Sequence, residues 1–401
     1  MRTWTFQSAG NLIFGRNAVA QLPAAAADLG ARRVFVVTDR ILEKAGVVAK
    51  VADTLTAGGI ELGFFHIDKP EPSVEIVRQA TAAATSFQPD AVLGLGGGSN
   101  MDAAKLVALV LAHGKDATDY TGDCRVPGPI VPLICVPTTA GTGSEVSAAA
   151  VFTDTEKQMK VSCLSPYLRP AAAVVDPLLT LSCPPKVTAD SGIDALTHAI
   201  EAFTAVDNDA FPLPSGEKTV YQGKNPMADS MAANCIRLVM QFLRRAVADG
   251  NDLEARDGMA LAATYGGLAF SNAGVALVHA MEYPVGGAVH VSHGAGNGLL
   301  LPFVMRFNLS KSAKNLAELV ALFPGAYRSA GPEDMAEHVI DAIEQLRRDI
   351  GIPTRLRDIG VTEDMLPGFA AKAFAIKRLM RVNPRMPQNE GEILESYRAA
   401  Y

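Results

Sequence analysis

The sequence predicts two domains of different class: a doubly wound α/β domain over residues 1–183, then an all-helical domain over 184–401. Three observations carry this. Short continuous apolar runs alternate with helical periodicity through the first part of the chain. Beyond about residue 184 the periodic segments are long and helical. Between the two regimes stand Cys183, Pro184 and Pro185, a natural breaker. A chain of 401 residues is long enough for two good cores.

Residues 4–16 alternate weakly and bring Leu12, Ile13 and Phe14 up to Gly15, which predicts a strand or hairpin. An Ala-rich helix is expected over 18–29. Residues 33–38 form a continuous apolar run ending in Asp39, the pattern of a strand buried on both faces of a parallel sheet. Helices are then expected at 47–57, 74–87 and 101–112, alternating with strands at 61–66, 90–95 and 130–136. A further strand, 172–175, leads into Asp176 and Pro177. The second domain reads as helices at 187–204, 226–248, 252–270, 273–283, 294–305, 311–324, 333–350 and 362–375. A Pro/Gly-rich stretch at 211–226 is too irregular for a helix.

Composition narrows the class. Apolar residues make up 49% and charged residues 19%, which is globular rather than disordered. The net charge of −6 and the lack of a long Lys/Arg run argue against nucleic acid. The N-terminus lacks an apolar signal core, and no apolar run approaches a membrane span. Cys124, Cys135, Cys163, Cys183 and Cys235 are odd in number, scattered, and without Cys-x-x-Cys spacing, so free thiols in a reducing cytoplasm are expected.

The chemistry concentrates in a few stretches. Over 191–201, Ile193, Leu196, Ala199 and Ile200 recur at helical spacing, and Asp194 and His198 lie four apart on one face. A carboxylate and an imidazole are costly to bury on an apolar helix. They are either a hydrogen-bonded core pair or ligands of an ion. Three of the seven histidines, His279, His290 and His293, fall within fifteen residues. Pro284, Gly286 and Gly287 are expected to end the helix carrying His279, and His293 and Gly294 to open the next. Two helix ends can then bring His279 and His293 to Asp194 and His198, although any one of these histidines alone is more often a hydrogen-bonded core residue than a ligand. Three imidazoles and one carboxylate suit Fe(II), Zn(II) or a related divalent ion. His290 either lines such a site or lies on the surface.

In the first domain a strand at 91–95 runs into Gly96, Gly97, Gly98, Ser99 and Asn100 and then a helix. Glycines let a phosphate approach the backbone, and Ser99 or Asn100 can cap the helix facing it. A plain tight turn is the alternative. The pattern is not G-x-G-x-x-G, and it falls on the third or fourth strand, so a standard Rossmann unit is not implied. A second loop, 137–145, holds Thr138, Thr139 and Thr142 after another buried strand. Asp39 ends a strand and is either a solvated loop residue or an acceptor for a ribose 2′-OH that would repel a 2′-phosphate.

With these stretches together, the sequence resembles the iron-containing (group III) alcohol dehydrogenases, which share the fold of dehydroquinate synthase and glycerol dehydrogenase. The resemblance spans essentially the whole chain and is anchored at 96–105, 137–145, 175–177, 192–201, His279, His293 and Gly294. It implies a dehydroquinate synthase-like fold, with an α/β N-terminal dinucleotide-binding domain and an all-α C-terminal metal-binding domain. It implies metal ligands at Asp194, His198, His279 and His293. It implies NAD contacts at Asp39, Gly97, Gly98, Ser99, Asp102, Thr138, Thr139, Thr142 and Lys160, with Leu179 near the adenosine; Lys160 alone would read as a surface lysine.

The implied activity is NAD-linked hydride transfer, as alcohol dehydrogenase or aldehyde reductase, on a short alcohol or hydroxy acid, by a cytoplasmic homodimer holding Fe(II) or Zn(II). The hydroxyacid–oxoacid transhydrogenase branch is similar at 221–226, at 271–275 and at the Tyr283, Pro284 pair. Its 4-hydroxybutyrate/2-oxoglutarate reaction with retained NAD is one alternative. A dehydroquinate synthase-like lyase and a non-catalytic NAD-binding regulator are others. Lys224, Arg378 and Arg381 are candidates for holding a substrate carboxylate. Many family members carry a second histidine where this chain has Tyr283, whose pKa near 10 makes it a poor base. Tyr283 and His290 are the candidates for substrate orientation or proton relay.

Overall fold

The computed structural model describes residues 2–68, 72–155, 159–213, 216–323 and 331–401. The chain divides into two compact units. One comprises residues 7–183 with Lys218–Val220; the other comprises residues 2–6, Pro184–Glu217 and Tyr221–Tyr401. The short exchanges at 2–6 and 218–220 had no signal in the sequence.

The first unit is built on β1 (Asn11–Phe14), β2 (Arg33–Asp39), β3 (Glu61–Ile67), β4 (Ala91–Gly96), a short β5 (Gly122–Asp123), β6 (Leu133–Pro137), β7 (Ala149–Asp154), β8 (Met159–Leu164) and β9 (Ala172–Val175). Its helices are α1 (Leu22–Asp28), α2 (Arg40–Lys44), α3 (Val47–Ala57), α4 (Val74–Phe87) and α5 (Gly98–His113). Six strands form a parallel sheet in the order β1-β9-β6-β4-β2-β3. The central strands are buried on both faces, which is why 34–37, 91–96 and 133–137 read as unbroken apolar runs. The chain goes from β2 out to β3, then returns on the other side of β2 as β4. The carboxyl ends of β2 and β4 therefore flank a topological switch point, where open α/β sheets bind ligands. Gly96 lies in register with Pro137, so the loops after β4 and β6 leave the same edge side by side.

Of residues 4–16, only β1 is a strand, paired in parallel with β9 at the end of the sheet. The antiparallel β7–β8 pair, with β5 beside it, forms a small second sheet that the sequence reading omitted.

The second unit contains α6 (Pro185–Thr204), α7 (Pro226–Ala248), α8 (Leu253–Ala273), α9 (Leu277–Val289), α10 (His293–Leu319), α11 (Pro332–Asp349), α12 (Leu366–Ala375), α13 (Lys377–Met380) and α14 (Glu390–Ala400). Helix α6 is its core. From Thr188 to Thr204 only Ser191 is not buried, because α7, α8 and α10 pack around it. Its buried hydroxyls return to its own backbone: Thr197 donates to Ile193 O and Thr204 to Ile200 O. That leaves Asp190, Asp194, His198 and Glu201 as one polar stripe along the buried helix.

Three expectations need correction. Helix α9 does not end at Pro284, Gly286 and Gly287 but runs on to Val289, with His290 as a left-handed cap at φ 54°. Pro284 deprives Ala280 of one ladder donor, and burial of Val285 and Gly286 outweighs that local loss. The helices expected at 294–305 and 311–324 are a single α10 that passes through Pro302. Within the expected gap, Asn308 serves a tertiary contact, its amide and that of Asn383 exchanging hydrogen bonds of 2.9 and 2.7 Å. Residue 324 lies outside the described residues, as do 214–215 of the Pro/Gly-rich stretch. Lastly, α13 and α14 extend the fold beyond 375, and Tyr397 of α14 donates to Met281 O of α9 at 2.6 Å. Among the described residues no single helix is long and apolar enough to cross a membrane.

Helices α6 and α10 meet at a glycine. A Cβ on Gly294 would lie 1.9 Å from Asp190 O and 3.1 Å from the Asp194 Cβ. Gly294→Ala is therefore expected to push the two helices apart and to cost about 1–3 kcal/mol or more. Thermal unfolding should show a lower midpoint; an unchanged midpoint would mean that the contact is looser than described.

Candidate functional site

In the helical unit, one atom each from Asp194, His198 and His279 lies within 4.8 Å of the others, and all three residues are buried. The Nε2 of His198 is 4.0 Å from Asp194 Oδ2, and the Nε2 of His293 is 4.0 Å from Asp194 Oδ1. The i,i+4 spacing on α6 places the first pair, α9 carries His279, and the first residue of α10 is His293. The rings pack against one another: His198 stacks on His279 at 4.9 Å and on Phe270 at 4.3 Å, and His279 meets His293 edge-on at 5.2 Å. Burial alone would raise the Asp194 carboxyl, but His198, His293, His279 and the Asn297 amide together hold it below the usual range.

Two carboxylates aim the rings. The His279 Nδ1–H donates to Glu201 at 2.6 Å, and Glu201 also accepts the backbone N–H groups of Ala276 and Val278 at 2.9 and 2.7 Å. The His293 Nδ1–H donates to Glu282. With Nδ1 protonated, each neutral imidazole carries its lone pair on Nε2, turned toward Asp194. Such carboxylate-backed imidazoles beside a buried carboxylate fit a divalent cation, and a simple core Asp–His pair needs none of them.

Glu201, Glu282 and Asn297 were missed in the sequence. Glu201 did carry a signal, seven residues past Asp194 on the same helix face. Asn297 lies four past His293. Glu282 sits near His279 in sequence yet serves His293, so spacing could not have found it.

Access is one-sided. The His293 side chain is 32% exposed, whereas those of Asp194 and His198 are 3% and 5%. The half-buried Tyr283 ring lies 6.0 Å from that of His293 on this side. His290 is exposed at the cap of α9.

In the α/β unit, Gly97 caps α5, whose first turn holds Gly98 and Ser99. A Cβ on Gly98 would come 2.7 Å from the Thr142 side chain, and one on Gly97 would come 3.5 Å from Thr139 Oγ1. The glycine turn and the threonine loop thus face each other, an approach that only glycine allows at Gly98. Thr138 is buried, and Thr139 and Thr142 are half-buried.

Neither Ser99 nor Asn100, the two candidates for capping α5, does so; Asn100 is turned elsewhere. Its amide donates to Asp39 Oδ2 at 2.7 Å and to Leu95 O at 3.1 Å, which joins β2 to β4 across the switch point. Asp39 itself caps α2, accepting from the N–H groups of Ile41 and Leu42. Asp102 is turned inward, accepting from Ser144 Oγ at 2.6 Å and Val151 N at 3.0 Å. Beside it the buried Lys105 donates to Ser144 Oγ, Ser147 Oγ and Ala149 O at 2.7, 3.0 and 2.7 Å. Burial pushes the Lys105 ammonium below its ordinary range, and Asp102 works against that shift. This pair ties α5 to the threonine loop and to β7. Lys160 is half-buried on β8 opposite Thr153, and Leu179 packs into the core beneath the sheet.

Both parts of the chain match known proteins. Residues 9–177 match the family model for iron-containing alcohol dehydrogenase, and residues 216–401 match the C-terminal model of the same family. The chain is 37% identical to long-chain-alcohol dehydrogenase 1 of Geobacillus thermodenitrificans over 391 residues, covering 96% of this chain and 94% of that one. A crystal structure of 1,3-propanediol oxidoreductase superposes with a TM-score of 0.93 at 36% identity, covering 100% of both chains. Sulfoacetaldehyde reductase from Bifidobacterium kashiwanohense, solved in complex with NAD+, superposes with a TM-score of 0.84 at 27% identity, covering 100% of this chain and 99% of that one.

These relatives give no support to the transhydrogenase branch. The stretches that resembled it bond to each other, Gln222 N to Asn272 O and Gly223 N to Ala273 O, a structural role that accounts for them. Over both units, the chain belongs to the iron-containing alcohol dehydrogenase family.

Proposed function

We propose that this protein is a metal-dependent, NAD-linked alcohol dehydrogenase and aldehyde reductase acting on a small alcohol. The observation that carries this reading is the convergence of Asp194, His198 and His279 within 4.8 Å, with Glu201 behind His279. We assign Asp194, His198, His279 and His293 as the ligands of one divalent cation, Fe(II) first, with Zn(II) compatible with the same donors. Asp39, Gly97, Gly98, Ser99, Thr138, Thr139, Thr142 and Lys160 are assigned to NAD, with Asp102 and Leu179 supporting that seat from beneath. The unit of residues 7–183 with Lys218–Val220 is then the dinucleotide domain, and the helical unit the metal domain, which keeps the expected boundary at 183/184 apart from the short exchanges at 2–6 and 218–220. The NAD+ complex of the Bifidobacterium reductase supports the choice of cofactor.

When bound, the cation supplies Lewis acidity to an alcohol or carbonyl oxygen, and NAD carries the hydride. The chain supplies the rest. Glu201 and Glu282 keep the Nδ1 protons of His279 and His293 in place, so that both Nε2 atoms stay available. The walls of Phe270 and the stacked imidazoles exclude water on the buried side. Tyr283, on the open side, orients the substrate through its hydroxyl, and the exposed His290 carries protons to solvent. Of the three candidates for holding a substrate carboxylate, Lys224 and Arg381 are already paired, at 2.5 Å with Asp229 and 2.6 Å with Glu217, so a hydroxy acid would depend on Arg378. Five cysteines without disulfides fit the cytoplasm. The edge strand β1, with Leu12 and Phe14 exposed, fits a homodimer, which light scattering would test: a monomeric mass would exclude it.

Incubation with Fe(II), NAD and C2–C6 alcohols should produce NADH continuously. Turnover only with a phosphorylated sugar acid, or none with any alcohol or aldehyde, would overturn the reading. Glu201→Gln should weaken metal binding by about 10–100-fold; unchanged affinity would mean that the carboxylate does not aim His279. Because Asp39 would repel a 2′-phosphate, Asp39→Ala should raise the NADPH-to-NADH ratio of kcat/KM by about tenfold, equivalent to about 1.4 kcal/mol of Coulomb energy. A wild-type enzyme that already used both cofactors equally would contradict that role.

A further inference from the structure

The metal assignment leaves one side chain unexplained at the centre of the site. Asn297 is 0% exposed. Its Nδ2 lies 2.8 Å from Asp194 Oδ1, 3.2 Å from His279 Nε2 and 3.2 Å from His293 Nε2. These are atoms of three of the four proposed ligands. At its other end Oδ1 is buried with no hydrogen-bond partner among the described residues. The two hydrogens of this buried amide are shared among three acceptors while its oxygen has no partner among the described residues, a poor match to a fixed structural role, since an unpaired buried carbonyl costs about 1–3 kcal/mol.

The tautomers sharpen this. Glu201 and Glu282 hold the Nδ1 protons, so His279 and His293 each have a single lone pair, on Nε2. That lone pair can accept from the Asn297 amide or bind a cation, but not both.

We infer that Asn297 is a placeholder for the cation. In the metal-free protein its amide holds the ligand set open by donating into it; on loading it must give up both imidazole lone pairs and turn its side chain. Asn297 is thus a positioning residue that stabilises the empty cage and opposes metal capture. The inference rests on the metal assignment above, and both can be tested together.

The experiment compares wild type with Asn297→Ala, each stripped by chelator and then titrated anaerobically with Fe(II), and separately with Zn(II), against a competing chelating dye. Melting temperatures are read with and without metal. Removing the two amide hydrogens that compete for these lone pairs should tighten the apparent Kd of Asn297→Ala by about tenfold or more. The melting temperature should fall in the metal-free variant and recover on loading, so that the gap between the two forms is wider than in wild type. If metal-free Asn297→Ala does not fold, Asn297→Ser, whose hydroxyl is too short to span the three acceptors, carries the same expectation. Equal or weaker metal binding in the variant overturns the placeholder role. If wild type itself binds neither ion, the metal assignment fails instead.

Discussion

The helical unit depends on two hydrogen bonds from imidazole to carboxylate, His279 to Glu201 and His293 to Glu282. Burying glutamates and histidines on apolar helices is unfavourable unless each group is satisfied. Here Glu201 is satisfied by one ring and two backbone N–H groups at the start of α9, so one side chain of α6 fixes both where α9 begins and which nitrogen of His279 is available. The same bond that stabilises the fold sets the chemistry. A carboxylate in contact with three imidazoles, two of them with a fixed tautomer, is an arrangement that a cation completes.

The α/β unit solves a different problem with backbone rather than charge. The parallel register of β4 and β6 delivers two loops to one edge, and the missing side chain of Gly98 lets Thr142 close on α5. Asn100 and Asp39 then tie β2 to β4 where the strand order reverses. Lys105 and Asp102 tie the threonine loop to α5 through Ser144, with the Lys105 ammonium buried. In each unit the candidate site residues lie beside a layer of buried, mutually satisfied polar groups.

Much of this was legible in the sequence, and the gaps have physical reasons. The parallel strands declared themselves because burial on both faces leaves unbroken apolar runs. Asp194 and His198 declared themselves because a helix surrounded by other helices has no reason to carry charge. Glu282 and Asn297 did not, since each acts on a residue from another turn or helix and nothing local marks it. The end of α9 was misjudged because Pro284 and the glycines describe local preference, whereas burial of the segment decides the outcome. Asn100 had the chemistry of a cap but was drawn to Asp39, a partner 61 residues earlier. In β7 the half-buried and buried positions alternate, but Ala149, Ala150, Thr153 and Asp154 give that alternation little hydropathic contrast to read.

The central claim is that Asp194, His198, His279 and His293 form one cation site. Elemental analysis of the anaerobically purified protein tests it most directly, with His198→Ala and His279→Ala prepared in parallel and their folding checked by circular dichroism. The account predicts about one Fe or Zn ion per chain in the wild type and loss of that ion in both folded variants. A wild type that carries no metal and takes up none from Fe(II) or Zn(II), or folded variants that keep a full complement, would contradict it.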